Sequence, residues 1–124
     1  MFDLTTDEAR LLLSIALMAV GGNRFVSAAK ILAVLEWFRP DQASVASAKT
    51  LALMSALRFK EAVEYVDGEA LVRFPDDPML LAFKGMALFR MGEGEQARGP
   101  LRQAAEQEGN AAARRLAADL LGDL

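Results

Sequence analysis

Apolar residues recur along the chain in steps of three and four, and short polar turns separate these stretches. Such spacing places the apolar side chains along one side of an α-helix. The pattern predicts an all-α fold. The expected helices cover about residues 6–20, 24–38, 42–57, 60–74 and 78–91, then a sixth from about 95 and a last one over 111–121.

Several predicted helix ends carry residues that cap helices. Thr5 and Glu8 have the spacing of a capping box, in which each side chain accepts a hydrogen bond from the other residue's backbone amide. Asp77 is expected to be an N-cap with Pro78 at the first helical position. Pro100 lies inside the sixth helix, where it removes one backbone hydrogen bond, so we expect a bend there.

A short polar turn that leads to an alanine occurs three times. The alanines are Ala28, Ala62 and Ala97, which are 34 and 35 residues apart, and Pro40 and Pro75 are also 35 apart. A period of about 34 residues is typical of helix-turn-helix repeat arrays. The sequence predicts one domain over residues 1–124. Its predicted parts are repeats over about 6–40, 41–76 and 77–109, and a C-terminal capping helix over about 110–122.

The second repeat contains one residue more than the first between its alanine and its proline. Thirteen positions separate Ala62 from Pro75, against twelve between Ala28 and Pro40. Gly68 interrupts the predicted fourth helix in the same interval, and an interior glycine costs a helix about 1 kcal/mol relative to alanine. We therefore expect a local bulge near Gly68.

The composition excludes several kinds of site. The chain has no cysteine and no histidine, which removes disulfides, the usual zinc ligands and the triads that depend on imidazole or thiolate. A net charge of −3 argues against binding nucleic acid. Gly92 and Gly94 form a G-x-G, but it joins two helices and carries glutamates, so we do not expect it to bind phosphate. We predict a protein that is not an enzyme and uses no cofactor or metal.

The longest apolar run covers ten positions, from Leu11 to Val20. A membrane-spanning helix needs about 20 apolar residues, so no membrane insertion is expected. The run is preceded by acidic residues between Asp3 and Glu8, whereas secretory signals begin with a basic segment. These features predict a cytoplasmic location.

The spacing resembles that of tetratricopeptide repeats over about residues 9–109. The matching small and large positions are Ala16, Ala28, Leu32 and Pro40, then Ala52, Leu53, Ala62, Ala70 and Pro75, then Gly85, Ala87, Leu88, Gly92, Ala97, Leu101 and Ala104. Gly85 and Ala97 are expected to let two helices approach closely. Lys49 and Lys84 depart from the pattern, because a large apolar residue usually stands there. The resemblance implies an α-solenoid of three repeats with a terminal cap.

In this family the first helix of each pair lines a concave groove. Carried over to this chain, the groove residues are Leu13, Leu17, Val20, Leu51, Met54, Met79, Ala82, Met86 and Phe89. Methionine is flexible, so such a groove suits an amphipathic helix of a protein partner. The alternative is that these side chains belong to the core. Trp37 and Tyr65 are predicted to be packing residues, with a partner surface as the alternative.

The chain is also similar to the tetratricopeptide chaperones of bacterial type III secretion, in particular the group that holds the needle subunit together with a small helical co-chaperone. The similar segments are Ala16–Asn23, Ala28–Ala29, Phe38–Asp41, Phe59–Ala62 and Pro75–Pro78. The resemblance implies a chaperone that covers a helix of a self-assembling subunit and prevents premature assembly. The alternatives are a translocator chaperone of the same systems, and a general tetratricopeptide scaffold, adaptor or homodimer.

Overall fold

The computed structural model describes residues 4–124, and every regular element in that range is helical. The helices are α1 (Thr6–Gly21), α2 (Phe25–Phe38), α3 (Ala43–Ser55), α4 (Phe59–Tyr65), α5 (Leu71–Arg73), α6 (Pro78–Arg90), α7 (Gly94–Glu106) and α8 (Ala111–Gly122). A π-helical turn, Val66–Ala70, joins α4 to α5. The predicted all-α class is confirmed, and the predicted ends lie within two residues of those observed.

The predicted caps form as expected. The Thr5 hydroxyl accepts a hydrogen bond from the Glu8 amide at 3.1 Å, and the Glu8 carboxylate accepts one from the Thr5 amide at 3.1 Å. The Asp77 carboxylate accepts a hydrogen bond from the Leu80 amide at 3.0 Å, and Pro78 is the first residue of α6. These side chains satisfy amides that have no partner within the helix, and so fix where α1 and α6 begin.

The chain divides into two compact units, one ending at Leu57 and the other spanning Arg58–Leu124. The single domain expected from the sequence stays a prediction. In the first unit α1, α2 and α3 pack against one another. Its buried core comprises Leu4, Ala9, Ala16, Val20, Ala28, Leu32, Leu35, Val45, Ala48 and Ala52.

In the second unit α6, α7 and α8 pack against one another, and α4 packs against α6. The largest cluster of buried side chains comprises Leu81, Ala82, Leu88, Ala97, Leu101, Ala104, Ala113 and Ala117. Alanine is common in this cluster because helices that approach closely leave room only for small side chains. Pro100 lies within α7, which continues from Gly94 to Glu106, so the proline does not end this helix.

The close approach expected at Gly85 is confirmed. A Cβ atom placed on Gly85 in α6 would lie 2.4 Å from both Cγ and Cδ2 of Leu101 in α7. Leu101 is completely buried, so its side chain has little room to move aside. Glycine is therefore needed at position 85 for steric reasons.

The three predicted turns share one backbone conformation. Asn23, Leu57 and Gly92 have φ values of 62°, 63° and 80°, and each lies five residues before one of the repeated alanines. This left-handed conformation suits glycine and asparagine, but it brings the Cβ of leucine close to the backbone. The repeated turn in the sequence is thus also repeated in the backbone.

The bulge expected near Gly68 is confirmed as the π-helical turn Val66–Ala70. Its widened geometry is seen in the Leu71 amide, which donates to the carbonyl oxygen of Val66, five residues earlier. Ala62, which precedes this turn, is completely buried, and so are Val66 and Ala70, the first and last residues of the turn. The extra residue is therefore accommodated without moving these side chains out of the core.

Candidate docking surface

The predicted partner-binding residues of the first unit differ in exposure. Leu17 is 40% exposed, whereas Leu13 and Leu51 are half-buried and pack against the core of this unit. Val20 and Met54 are buried. Of these five side chains, Leu17 offers the most surface to a partner.

The second unit holds the other four predicted partner-binding residues. Met79, Met86 and Phe89 are half-buried, and Met79 and Phe89 pack against the core of the unit. Ala82 is completely buried. Val20, Met54 and Ala82 are therefore buried residues, as the alternative interpretation expected, because they have almost no surface with which to contact a partner. The continuous groove implied by the resemblance stays a prediction.

Helix α1 exposes three further large apolar side chains that were not among the predicted residues. Leu11, Ile15 and Met18 lie four and three residues apart, and Met18 is 75% exposed. They lie on the side of α1 opposite the buried Ala9 and Ala16. The sequence indicated this exposure, because residues 11–20 are apolar on almost every side of the helix and one core can cover only one side.

Helix α2 also carries an exposed apolar stripe. Trp37 is 81% exposed, so its prediction as a packing residue is wrong. Val26, Lys30 and Ala33 are also exposed and share its side of the helix. The packing prediction for Tyr65 is confirmed, since Tyr65 is buried and its hydroxyl accepts a hydrogen bond from Arg73 at 3.4 Å.

The two units also differ in charge. Up to Leu57 the sequence has five acidic residues and five basic ones, giving no net charge, whereas Arg58–Leu124 has twelve acidic and nine basic, giving −3. Most of the exposed large apolar side chains in the described range belong to the first unit. A unit with no net charge and several exposed apolar side chains is typical of proteins that bind other proteins.

The two lysines that depart from the tetratricopeptide pattern both form ion pairs. Lys49 in α3 contacts Glu36 in α2 at 3.2 Å, and Lys84 in α6 contacts Asp67 in the π-helical turn at 2.7 Å. Each ammonium group thus joins the helix that carries it to an earlier element of the same unit. A lysine can replace the usual large apolar residue at these two positions because an acidic side chain on a neighbouring element pairs with it.

We expect the Lys84–Asp67 pair to contribute little to stability. The side chains are 24% and 48% exposed, so water screens their attraction. A double-mutant cycle with Lys84→Met and Asp67→Asn, followed by urea denaturation, should give a coupling energy of at most about 1 kcal/mol. The coupling should fall further in high salt, and a value that salt leaves unchanged would contradict this expectation.

Other chemistry is not indicated in the described part of the chain. Within residues 4–124, no group of three or more acidic side chains is arranged to hold a metal ion. None of the helices described there combines the length and apolarity needed to cross a membrane. Comparison of the chain with models of protein families, with curated proteins and with solved structures finds no match.

Proposed function

We propose that this chain is a non-catalytic chaperone of type III secretion, which binds an amphipathic helix of a needle subunit or another export subunit and prevents its premature assembly. The observation that carries the proposal is the surface of α1, where Leu17 is exposed beside the half-buried Leu13. The core side of the same helix is already filled by Ala9, Ala16 and Val20. Helix α1 therefore has more apolar surface than its own unit covers.

The form of this surface suits a helical partner. Leu13 and Leu17 are four residues apart and so are neighbours on one side of α1. A helix-in-groove complex places its anchoring side chains at such intervals. Burying a fully exposed leucine contributes roughly 1.5–3 kcal/mol, and Leu13 and Leu17 are already partly covered, so each would contribute only a part of this. Covering this patch would nevertheless favour binding.

Two further observations support a repeat protein of this class. The left-handed residues at the three turns recur with the period of the repeat. The steric need for Gly85 opposite Leu101 also agrees with the role that the tetratricopeptide resemblance gives that position. Solenoids of this type act chiefly by presenting extended surfaces to other proteins.

The proposal is tested by co-expressing the chain with a candidate needle subunit and a small helical co-chaperone of a type III secretion system. We expect a soluble complex, and we expect Leu17→Glu to weaken it at least about tenfold, because a carboxylate would be buried against apolar side chains. Val72→Glu is the matched control, since Val72 is an exposed apolar residue that is not among the predicted partner-binding residues. Binding is measured by calorimetry, and circular dichroism checks that each variant is folded.

The Met86→Glu variant tests, in the same assay, whether the second unit also contacts the partner. Met86 is half-buried, and the carried-over groove includes it, so we expect this variant to weaken the complex as well. Combined with Leu17→Glu, it should abolish recovery of the subunit. Failure to form a complex with the unaltered chain would refute the proposal, as would equal affinity of the Leu17→Glu and Val72→Glu variants.

A further inference from the structure

We infer that the exposed side of α2 is a self-association surface, on which α2 of a second copy of this chain packs antiparallel. The residues of this α2 face are Val26, Ala29, Lys30, Ala33, Val34 and Trp37, all of them exposed. The inference is separate from the proposed chaperone function, which rests on α1.

The α2 face has the spacing of a helix–helix seam. Val26, Lys30, Ala33 and Trp37 follow one another at intervals of four, three and four residues. This alternation is the heptad spacing that keeps a stripe facing a second helix. The opposite side of α2 is already occupied, because Ala28, Leu32 and Leu35 are buried in the core of the first unit. A second helix can therefore pack on the α2 face without competing for the core.

The α2 face is complementary to itself. In an antiparallel pair with its two-fold axis between positions 31 and 32, Val26 lies opposite Trp37 of the second copy, because the numbers 26 and 37 are equally distant from the axis. Lys30 then lies opposite Ala33, and Ala29 opposite Val34. Each larger side chain meets a smaller one, and the two-fold symmetry repeats each of these contacts.

The charge on the α2 face selects this arrangement. Lys30 is the only charged residue on the face, and a parallel in-register pair would place two lysines directly opposite each other. In the antiparallel pair the lysines are offset by three residues, or about 4.5 Å along the helix. Each lysine stem lies over Ala33 of the second copy, and its ammonium group reaches water at the edge. No carboxylate is buried in the process.

The size of the face predicts a weak dimer. Tryptophan side chains bury roughly 150–250 Å² each, so the two Trp37 side chains supply about 300–500 Å². A specific interface needs about 1,000 Å² in total, which six residues from each copy barely reach. We therefore expect a dissociation constant in the micromolar range or weaker. The dimer should form only as the protein concentration is raised.

Trp37 is the only tryptophan in the chain, so its fluorescence reports directly on this face. Between about 5 and 500 µM we expect the emission of the isolated chain to shift to the blue while the sedimentation coefficient rises. Val26→Asp should weaken association at least about tenfold and abolish the shift, because it places a carboxylate opposite Trp37 of the second copy.

Val72→Asp is the matched control. Val72 belongs to the second unit and is 70% exposed, against 71% for Val26, so both substitutions add the same charge at equally exposed positions. We expect Val72→Asp to dimerise like the unaltered chain. A chain that stays monomeric with constant emission at every concentration would overturn the inference. So would a dimer that both variants weaken equally.

Substitutions at Ala33 test the register of the pair. Ala33→Glu faces Lys30 of the second copy and should tighten the dimer severalfold, whereas Ala33→Lys should weaken it by a similar factor. The difference between the two variants should shrink in high salt. Equal dissociation constants for the two variants would overturn the proposed antiparallel register.

Discussion

Replacing Gly85 with alanine is expected to lower the free energy of unfolding by about 2 kcal/mol, which corresponds to roughly 8 °C in melting temperature. The added methyl group would lie 2.4 Å from two side-chain atoms of Leu101, which is completely buried. Alanine favours a helix over glycine by about 1 kcal/mol, so the expected loss is the excess of steric cost over this gain.

Urea denaturation monitored by circular dichroism measures this effect, and two controls isolate its cause. Gly21→Ala is also a helical substitution, but nothing lies within 4 Å of the added Cβ, so we expect it to be neutral or slightly stabilising. In a Leu101→Ala background the clash is removed, so Gly85→Ala should no longer destabilise. If the changes in the free energy of unfolding caused by Gly85→Ala and Leu101→Ala simply add in the double variant, the contact with Leu101 does not cause the loss of stability.

Replacing Leu57 with asparagine should raise the free energy of unfolding by about 1 kcal/mol. Leu57 has a φ of 63°, a conformation that asparagine tolerates better than leucine. The leucine side chain is 71% exposed, so its replacement removes little buried apolar surface. Asn23 adopts the same conformation at the equivalent turn, with a φ of 62°, and shows that asparagine fits there.

The reciprocal substitution provides the comparison for this prediction. Asn23→Leu places leucine at a left-handed position and should lower the stability by about the amount that Leu57→Asn raises it. Thermal melts of both single variants, with the unaltered chain as reference, measure the two shifts. Shifts of the same sign would mean that side-chain contacts outweigh backbone conformation at these turns.

Most helix ends could be predicted from the sequence because the residues that determine them act locally. The capping box at Thr5, the N-cap at Asp77 and the repeated turns depend on hydrogen bonds and backbone angles within a few residues. The π-helical turn was predictable for another reason. The repeat supplied an expected length, against which one additional residue near Gly68 could be detected.

The candidate site was harder to predict, since helical periodicity identifies apolar sides but not what covers them. The resemblance to tetratricopeptide repeats predicted that Val20 and Ala82 line a groove, yet both are buried in the cores of their own units. Trp37 was expected to pack and is exposed instead, because Leu35 and Phe38 already cover the core side at the end of α2. Such choices depend on tertiary packing, which a sequence pattern does not contain.

The π-helical turn gives this part of the chain a tolerance to insertions. One residue added to a regular α-helix rotates everything after it by about 100°, which would carry Ala70 away from the side that Ala62 occupies. Here both alanines are completely buried, because the additional residue is confined to a single wide turn. The length of this helix can therefore change by one residue during evolution while the same side chains continue to form the core.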